Sequence, residues 1–324
     1  MGGFNQKITA ILNKFDIMYK FVPSALNRPI VNSRWTLNLP HIEKSQWKNS
    51  NFRLIIHAQD FCNYNSNNLC FELEAIEKTY EQEYHKQIIF LHWDHNLQNT
   101  YVGQIQCVEF PSHSWELVEG LKTQYKEWKS VHSNLNRKYN FLCLNGYPRN
   151  HRNKIYNILK DYKQGFVTHP VHNDYNLAPY AKYNFDNVAN FIKLKSLYKS
   201  AYTSIVTESI YSDTPGIITE KTLLAIAAKH PFMCIGHKQI HNELAERGFE
   251  NYDEIFDLGF DIMDSNLRLD EAIQSNILML TDNNFNVKVA IEKTERNFDF
   301  LMNDYMQSIE HRAHKQLTKI IFQP

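Results

Sequence analysis

Glycine is scarce in this chain, with 10 among 324 residues, about half the usual ~7% share. Neither G-x-G-x-x-G nor G-x-x-x-x-G-K-[ST] occurs. A dinucleotide fingerprint and a Walker loop, which need glycine where backbone meets phosphate, are therefore excluded. Neither charge sign is in excess, Lys+Arg 35 balancing Asp+Glu 35. That excludes a bulk nucleic-acid coat, whose affinity comes from neutralising many phosphates. The five cysteines, Cys62, Cys70, Cys107, Cys143 and Cys234, are odd in number and include no C-x-x-C pair. The pattern suits neither a disulfide framework nor a thiolate zinc site, and points to a reducing compartment. No run approaches the ~18–20 apolar residues of a membrane span, and the opening MGGFNQKITAILNKF has no small-residue cleavage site. The expectation is a soluble, cytoplasmic protein. The abundance of Asn, Lys, Ile, Tyr and Phe hints at an AT-rich viral or phage genome, in which case the compartment is the host cytoplasm.

What is present is a normal globular mixture, 43% hydrophobic and 22% charged, long enough for two domains. Ile8, Ile11, Leu12, Phe15, Tyr19 and Val22 recur at helical spacing and predict an opening amphipathic helix. A polar stretch follows to about residue 51. From Arg53, short apolar runs alternate with helical patterns. RLIIHA (53–58), QIIFLHW (87–93) and QIQCVEF (104–110) read as strands, with helices at 69–84 and 114–134. After a polar break at 138–140 the alternation restarts. FLCLNG (141–146), GFVTHP (165–170), TSIVTE (203–208) and PFMCIG (231–236) read as strands, with helices at 150–162, 184–199, 219–229 and 239–247, the last closed by Gly248. A long helical pattern runs on from Val287. Strand–helix alternation predicts α/β architecture with parallel sheets. The expected division is 1–138, 139–285 and a helical segment 286–324 that returns to the first domain.

Open α/β sheets bind ligands beyond the carboxyl ends of their strands, where helix N-termini collect anions. Two segments fit. After FLCLNG, a short loop delivers Arg149, His151 and Arg152 to a helix start, and guanidinium groups match phosphate oxygens bidentately. In IITEKTLLAIAAKHPFMCIG (217–236), Thr219 is a candidate N-cap, with Glu220 and Lys221 in the first turn. A lysine there opposes the helix dipole, which a bound anion would explain. Glu220, acceptor-only when ionised, suits sugar or ribose hydroxyls.

This ordered set resembles the C-terminal donor domain of the family 10 α1,3-fucosyltransferases and related phage and viral glycosyltransferases of the GT-B type. The matching pieces are Arg152 after FLCLNG, TSIVTES (203–209), Thr-Glu-Lys at 219–221, PFMCIG, GFENYDEIF (248–256) and the FD pair at 260–261. Together they cover about residues 139–262. Where the fucosyltransferases place an aromatic residue three before the glutamate, this chain has Ile217, and the loop between Glu208 and Thr219 differs from theirs. The resemblance implies two Rossmann-like domains facing a cleft. It also implies a nucleotide-sugar co-substrate with no cofactor, its diphosphate on Arg152 and Lys221, with Arg149 and Thr219 nearby. The donor's sugar or ribose would lie on Glu220 and Glu208.

An inverting transfer needs a base for the acceptor hydroxyl. Asp60 and Asp94 follow first-domain strands and are the candidates, with Glu109 a weaker third. No metal is expected. His92/His95, His169/His172 and His237/His241 are pairs without a third ligand, and no H-E-x-x-H or D-x-D occurs. The aromatics Trp115, Tyr125 and Trp128 are expected in the core. The acceptor is expected to be a glycan. A hydroxymethylated DNA base, met by Lys122, Lys126, Lys129, Arg137 and Lys138, is the alternative, as is a non-catalytic nucleotide-sugar or glycan binder.

Overall fold

The computed structural model describes residues 9–10, 12–13, 15, 18–24, 39–58, 66–93, 97, 101–133, 137–146, 148–168, 194–282 and 287–322. The fold is α/β. Its strands are β1 (Met18–Ser24), β2 (Phe52–Ala58), β3 (Ile88–His92), β4 (Gln106–Glu109), β5 (Tyr139–Cys143), β6 (Gly165–Val167), β7 (Ala201–Thr207) and β8 (Phe232–Ile235). They form two four-stranded sheets in the orders β1-β2-β3-β4 and β6-β5-β7-β8, and every pairing is parallel. The chain divides into two compact units, 1–116 with 307–324, and 117–306. The divisions expected from the pattern are 138/139 and 285/286; the observed limits fall within helices Ser112–Thr123 and Tyr305–Phe322.

In the first unit the expected opening helix is corrected. Residues 9, 10 and 12 are helical, but Tyr19 and Val22 lie in β1, which pairs with β2 over seven residues from Met18↔Phe52 to Ser24↔Ala58. Apolar residues three apart mark a helix only until a neighbouring strand offers a full ladder, and here tertiary pairing decided. Every residue of β3 is buried, as expected for a parallel strand covered on both faces. The last helix belongs to this unit, where Gln316 Oε1 accepts from the Glu109 backbone N at 2.8 Å and Glu310 Oε1 from Trp115 Nε1 at 3.2 Å.

The pattern at 114–134 resolves into helix Ser112–Thr123, a break at Gln124, helix Tyr125–Lys129 and a 3-10 turn. The pattern from Val287 resolves into helix Ile291–Asp299, a π-helical turn over Phe300–Asp304 and helix Tyr305–Phe322. Gly248 has φ +103, and its ideal Cβ would lie 2.8 Å from the Phe300 ring. Glycine there both closes helix Ile240–Glu246 and admits the ring.

Helix Glu220–Ala227 is buried nearly throughout. Its small residues Ala225 and Ala227 let it pack under the sheet, and the chain then turns through Lys229 at φ 53 into β8. Lys229 is 5% exposed, so its charge must be compensated. Glu295 lies 2.6 Å from its Nζ, and the Phe298 ring centroid lies 4.7 Å away.

The strand order of this sheet places the site. From β5 the chain steps outward to β6, then returns to the other side of β5 as β7. The crevice beyond β5 and β7 is thus a topological switch point, where open α/β sheets bind ligands.

Candidate anion-binding site

Asn145 closes the ends of three strands. Its backbone N donates to Thr168 Oγ1 at 2.9 Å, its Nδ2 to Thr168 O at 3.0 Å, and its Oδ1 accepts from Thr207 Oγ1 at 2.6 Å. Gly146 follows, and a Cβ built on it would meet nothing within 4 Å. Helix Asn150–Leu159 then begins with Arg149 at the N-cap and His151 and Arg152 in its first turn.

Arg152 is 2% exposed. Its Nη2 donates to the carbonyls of Thr207 at 3.0 Å and Glu208 at 3.1 Å. His151 Nε2 donates to the same Glu208 carbonyl at 3.0 Å. Burial, and then the Arg152 charge, push the imidazole down to about 4, so it is neutral at pH 7. Burial, and then the Arg149 charge, also lower the Arg152 guanidinium from its ordinary value, while Glu208 and Glu220 support its charged form. Cations crowd this strand end, which is the electrostatic condition for an anion site.

Glu208, one residue beyond β7, is fully buried. Its Oε1 accepts from Thr219 N at 3.0 Å and Thr222 Oγ1 at 2.6 Å, and its Oε2 from Ser209 N at 3.1 Å and Thr219 Oγ1 at 2.5 Å. Four donors fill the carboxylate. The expectation that Glu208 holds donor hydroxyls is therefore corrected: it clamps the start of helix Glu220–Ala227 to the end of β7. Gly236 makes room for it, since a Cβ there would approach Glu208 Cβ to 3.0 Å.

Thr219 is the N-cap, its hydroxyl accepting from Lys221 N at 3.5 Å. Lys221 Nζ lies 3.2 Å from both Ser209 Oγ and Thr219 Oγ1 and pairs with Glu220 Oε1. Lysine against the helix dipole is thus tolerated because the Glu220 carboxylate and two hydroxyl oxygens surround it.

The loop after β7 is held from outside. Arg268 donates to Ser212 O at 2.6 Å and Met263 O at 2.7 Å, and its guanidinium lies 4.9 Å from the Tyr211 ring centroid. Asp213 accepts from the Ser265 hydroxyl at 2.8 Å.

Arg149, Arg152, Glu208, Thr219, Glu220 and Lys221 therefore converge on one strand end. Asp60 and Asp94 lie outside the described residues, as do Cys62, His95, His169 and His172. Glu109 is the last residue of β4 and buried. Among the described residues no group of three His, Cys, Asp or Glu side chains could hold a metal ion. The His237/His241 pair is divided: His237 Nε2 pairs with Glu243 Oε2 at 2.8 Å, and His241 Nε2 accepts from Cys234 N at 2.9 Å. Cys143 and Cys234 beside the site are inert, burial pushing the Cys143 thiol up to about 12 and Cys234 also upward. Trp115 and Trp128 are fully buried, while Tyr125 is partly exposed. Arg137 is corrected from a groove cation to a structural one. It donates to the carbonyls of Ala201 and, at 3.3 Å, Tyr198, and burial lowers its guanidinium from the ordinary value.

Sequence reasoning missed the work of Asn145, Tyr211 and Arg268, each of which bonds a partner 54 to 62 residues away. Among the described residues no helix is long and apolar enough to cross a membrane. No family model matches the chain, and no curated protein matches it.

Proposed function

We propose that the chain is a glycosyltransferase of the GT-B type that moves a sugar from a nucleotide-diphosphate donor to a hydroxyl acceptor, without a metal and with inversion. The observation that carries the reading is the meeting of two helix starts, bearing Arg152 and Lys221, at the switch point of the β6-β5-β7-β8 sheet. As the bond from the sugar to the diphosphate breaks, negative charge grows on the leaving phosphate. Fixed cations and helix amides stabilise it without reorganising. Glu220 receives the hydroxyls of the donor's sugar or ribose. The proton of the acceptor hydroxyl passes to a first-unit carboxylate, Asp60 or Asp94, as the new bond forms. The resemblance to fucosyltransferases makes a GDP-fucose-like donor the first to try, with a glycan as acceptor.

A thermal-shift and calorimetric screen of GDP-, UDP- and CMP-sugars tests this, because a ligand of the folded state raises apparent stability. Lys221→Ala is expected to weaken the bound donor by about 1.5–3 kcal/mol, the scale of a hydrogen bond to a charged group. Transfer is expected to persist in EDTA. A chain that binds donor but transfers nothing to any hydroxyl would be the non-catalytic binder, and one that binds no nucleotide sugar would sink the reading.

A further inference from the structure

We infer that Glu208 is a positioning residue, which orients the Thr219 hydroxyl so that its oxygen faces Lys221 and never itself meets the ligand. The inference rests on the donor-binding reading above. A carboxylate only accepts hydrogen bonds, so each group facing Glu208 must donate. Thr219 has one hydroxyl proton, and it points to Glu208 Oε2 at 2.5 Å. The lone pairs of the same oxygen then face Lys221, whose Nζ is 3.2 Å and backbone N 3.5 Å away. Thr222 obeys the same rule. Its proton goes to Oε1 at 2.6 Å, so in the 3.4 Å contact with Cys234 the thiol is the donor.

An amide in this place reverses the relay. With its oxygen kept toward Thr219 N and the Thr222 hydroxyl, its NH₂ group faces the Ser209 amide, itself a donor, and the Thr219 oxygen. Thr219 must then accept from the amide, and its own proton turns toward one of the two Lys221 donors it had been accepting from, Nζ or the backbone N. Lys221 loses an acceptor and gains a repelling dipole. Glu208 therefore sets the place of the cation through one hydroxyl.

The test is calorimetric titration of the full chain with GDP, UDP and inorganic pyrophosphate. Glu208→Gln and Lys221→Met are each expected to weaken binding about tenfold or more. The double variant is expected to bind little worse than Lys221→Met alone, because the two changes act on one contact. Thr219→Val is expected to fall as far as Glu208→Gln, and Thr219→Ser to keep the parent affinity. That pair keeps the test open if Glu208→Gln does not fold. Asn276→Ala, which removes a buried side chain bonded to Asp257 O and Ala272 O, shows whether lost stability alone moves affinity, and none is expected to move. Losses that add in the double variant, or unchanged affinity in Glu208→Gln or Thr219→Val, would overturn the relay and leave the donor reading standing. A parent chain that binds none of the three probes would overturn both.

Discussion

The imidazole of His151 lies flat against the ring of Tyr211, centroids 5.2 Å apart and planes 16° apart. The contact ties the start of helix Asn150–Leu159 to the loop that follows β7. From the same loop, the Tyr211 hydroxyl donates to Ser265 O at 2.6 Å. The helix start carrying Arg152 and the loop leading to Lys221 are thus fixed against each other. Pre-arranged cations bind an anion without the ordering cost a loose loop would add.

His151 makes this contact as a neutral ring. Its folded-state value is about 4 against an ordinary 6.5, burial being the main cause. Between those values the unfolded chain binds a proton that the folded chain does not, so stability rises with pH across the window and falls as pH drops from 6.5 toward 4. The expected slope is about 1.4 kcal/mol per pH unit for one such group. Buried His57, pushed down to about 3, acts in the same sense in the first unit. Urea midpoints between pH 4.5 and 7 measure the slope. His151→Gln should flatten it, and an unchanged slope would mean that the ring is protonated in the fold.

Arg268 anchors the loop. Its side chain is buried and bonded to Ser212 O, Met263 O and, at 3.3 Å, Asp213. Arg268→Met leaves two half-buried carbonyls without that donor, at a cost of about 0.5–1.5 kcal/mol each. The expected result is a lower urea midpoint together with faster proteolysis between residues 209 and 218. A midpoint that falls while the loop stays protected would place the loss elsewhere.

The strands were legible because both faces of a parallel sheet are covered, so they read as continuous apolar runs. RLIIHA, QIIFLHW and PFMCIG all fall on observed strands. MYKFVPS was not legible as β1, since its apolar residues fit a helix equally well and only the ladder with β2 decides. In the site, Arg152, Thr219, Glu220 and Lys221 were legible as cations, cap and acid at helix starts. The work of Glu208 was not, because its donors Thr219 and Thr222 are 11 and 14 residues away and the loop between carries no fixed pattern. Arg137 misled for the converse reason. Its neighbours in sequence are basic, but its hydrogen-bond partners lie 61 and more residues on.

Glu243 shows how a buried charge behaves away from the site. It accepts from Arg247 Nε at 2.9 Å and Nη2 at 2.7 Å and pairs with His237 Nε2 at 2.8 Å. Burial alone would raise its carboxyl, but Arg247 and His237 outweigh it and the net direction is down. The pair's stabilisation is therefore present above the ordinary carboxylate value and is lost as pH falls through the lower folded one. Glu243→Gln leaves the Arg247 guanidinium buried without its counter-charge, expected to cost about 3–5 kcal/mol. Glu246→Gln, on the exposed face of the same helix, should leave the thermal midpoint nearly unchanged. A similar midpoint for both variants would show that Arg247 finds another partner.

The acceptor is the last point the charges bear on. A duplex-DNA acceptor must have several of its phosphates neutralised, and each releases counterions, so binding falls by orders of magnitude between low and moderate salt. Of the five basic residues between Lys122 and Lys138, Arg137 faces the carbonyls of Ala201 and Tyr198, while Lys138 is exposed with its ammonium 4.9 Å from the Tyr139 ring centroid. Lys129 lies 5.5 Å from the Tyr125 ring centroid and, like Lys126, is exposed. The balance of charge over the whole chain, Lys+Arg 35 against Asp+Glu 35, is why a neutral glycan is the acceptor we propose. The acceptor KM is expected to change little between 50 and 200 mM salt, a span of about 10³–10⁵ in affinity for a protein with 6–10 phosphate contacts. Lys122→Glu with Lys126→Glu is expected to leave that KM unchanged. A gel shift with plain duplex DNA that both salt and the double substitution abolish, with transfer to hydroxymethylated DNA, would reverse the assignment.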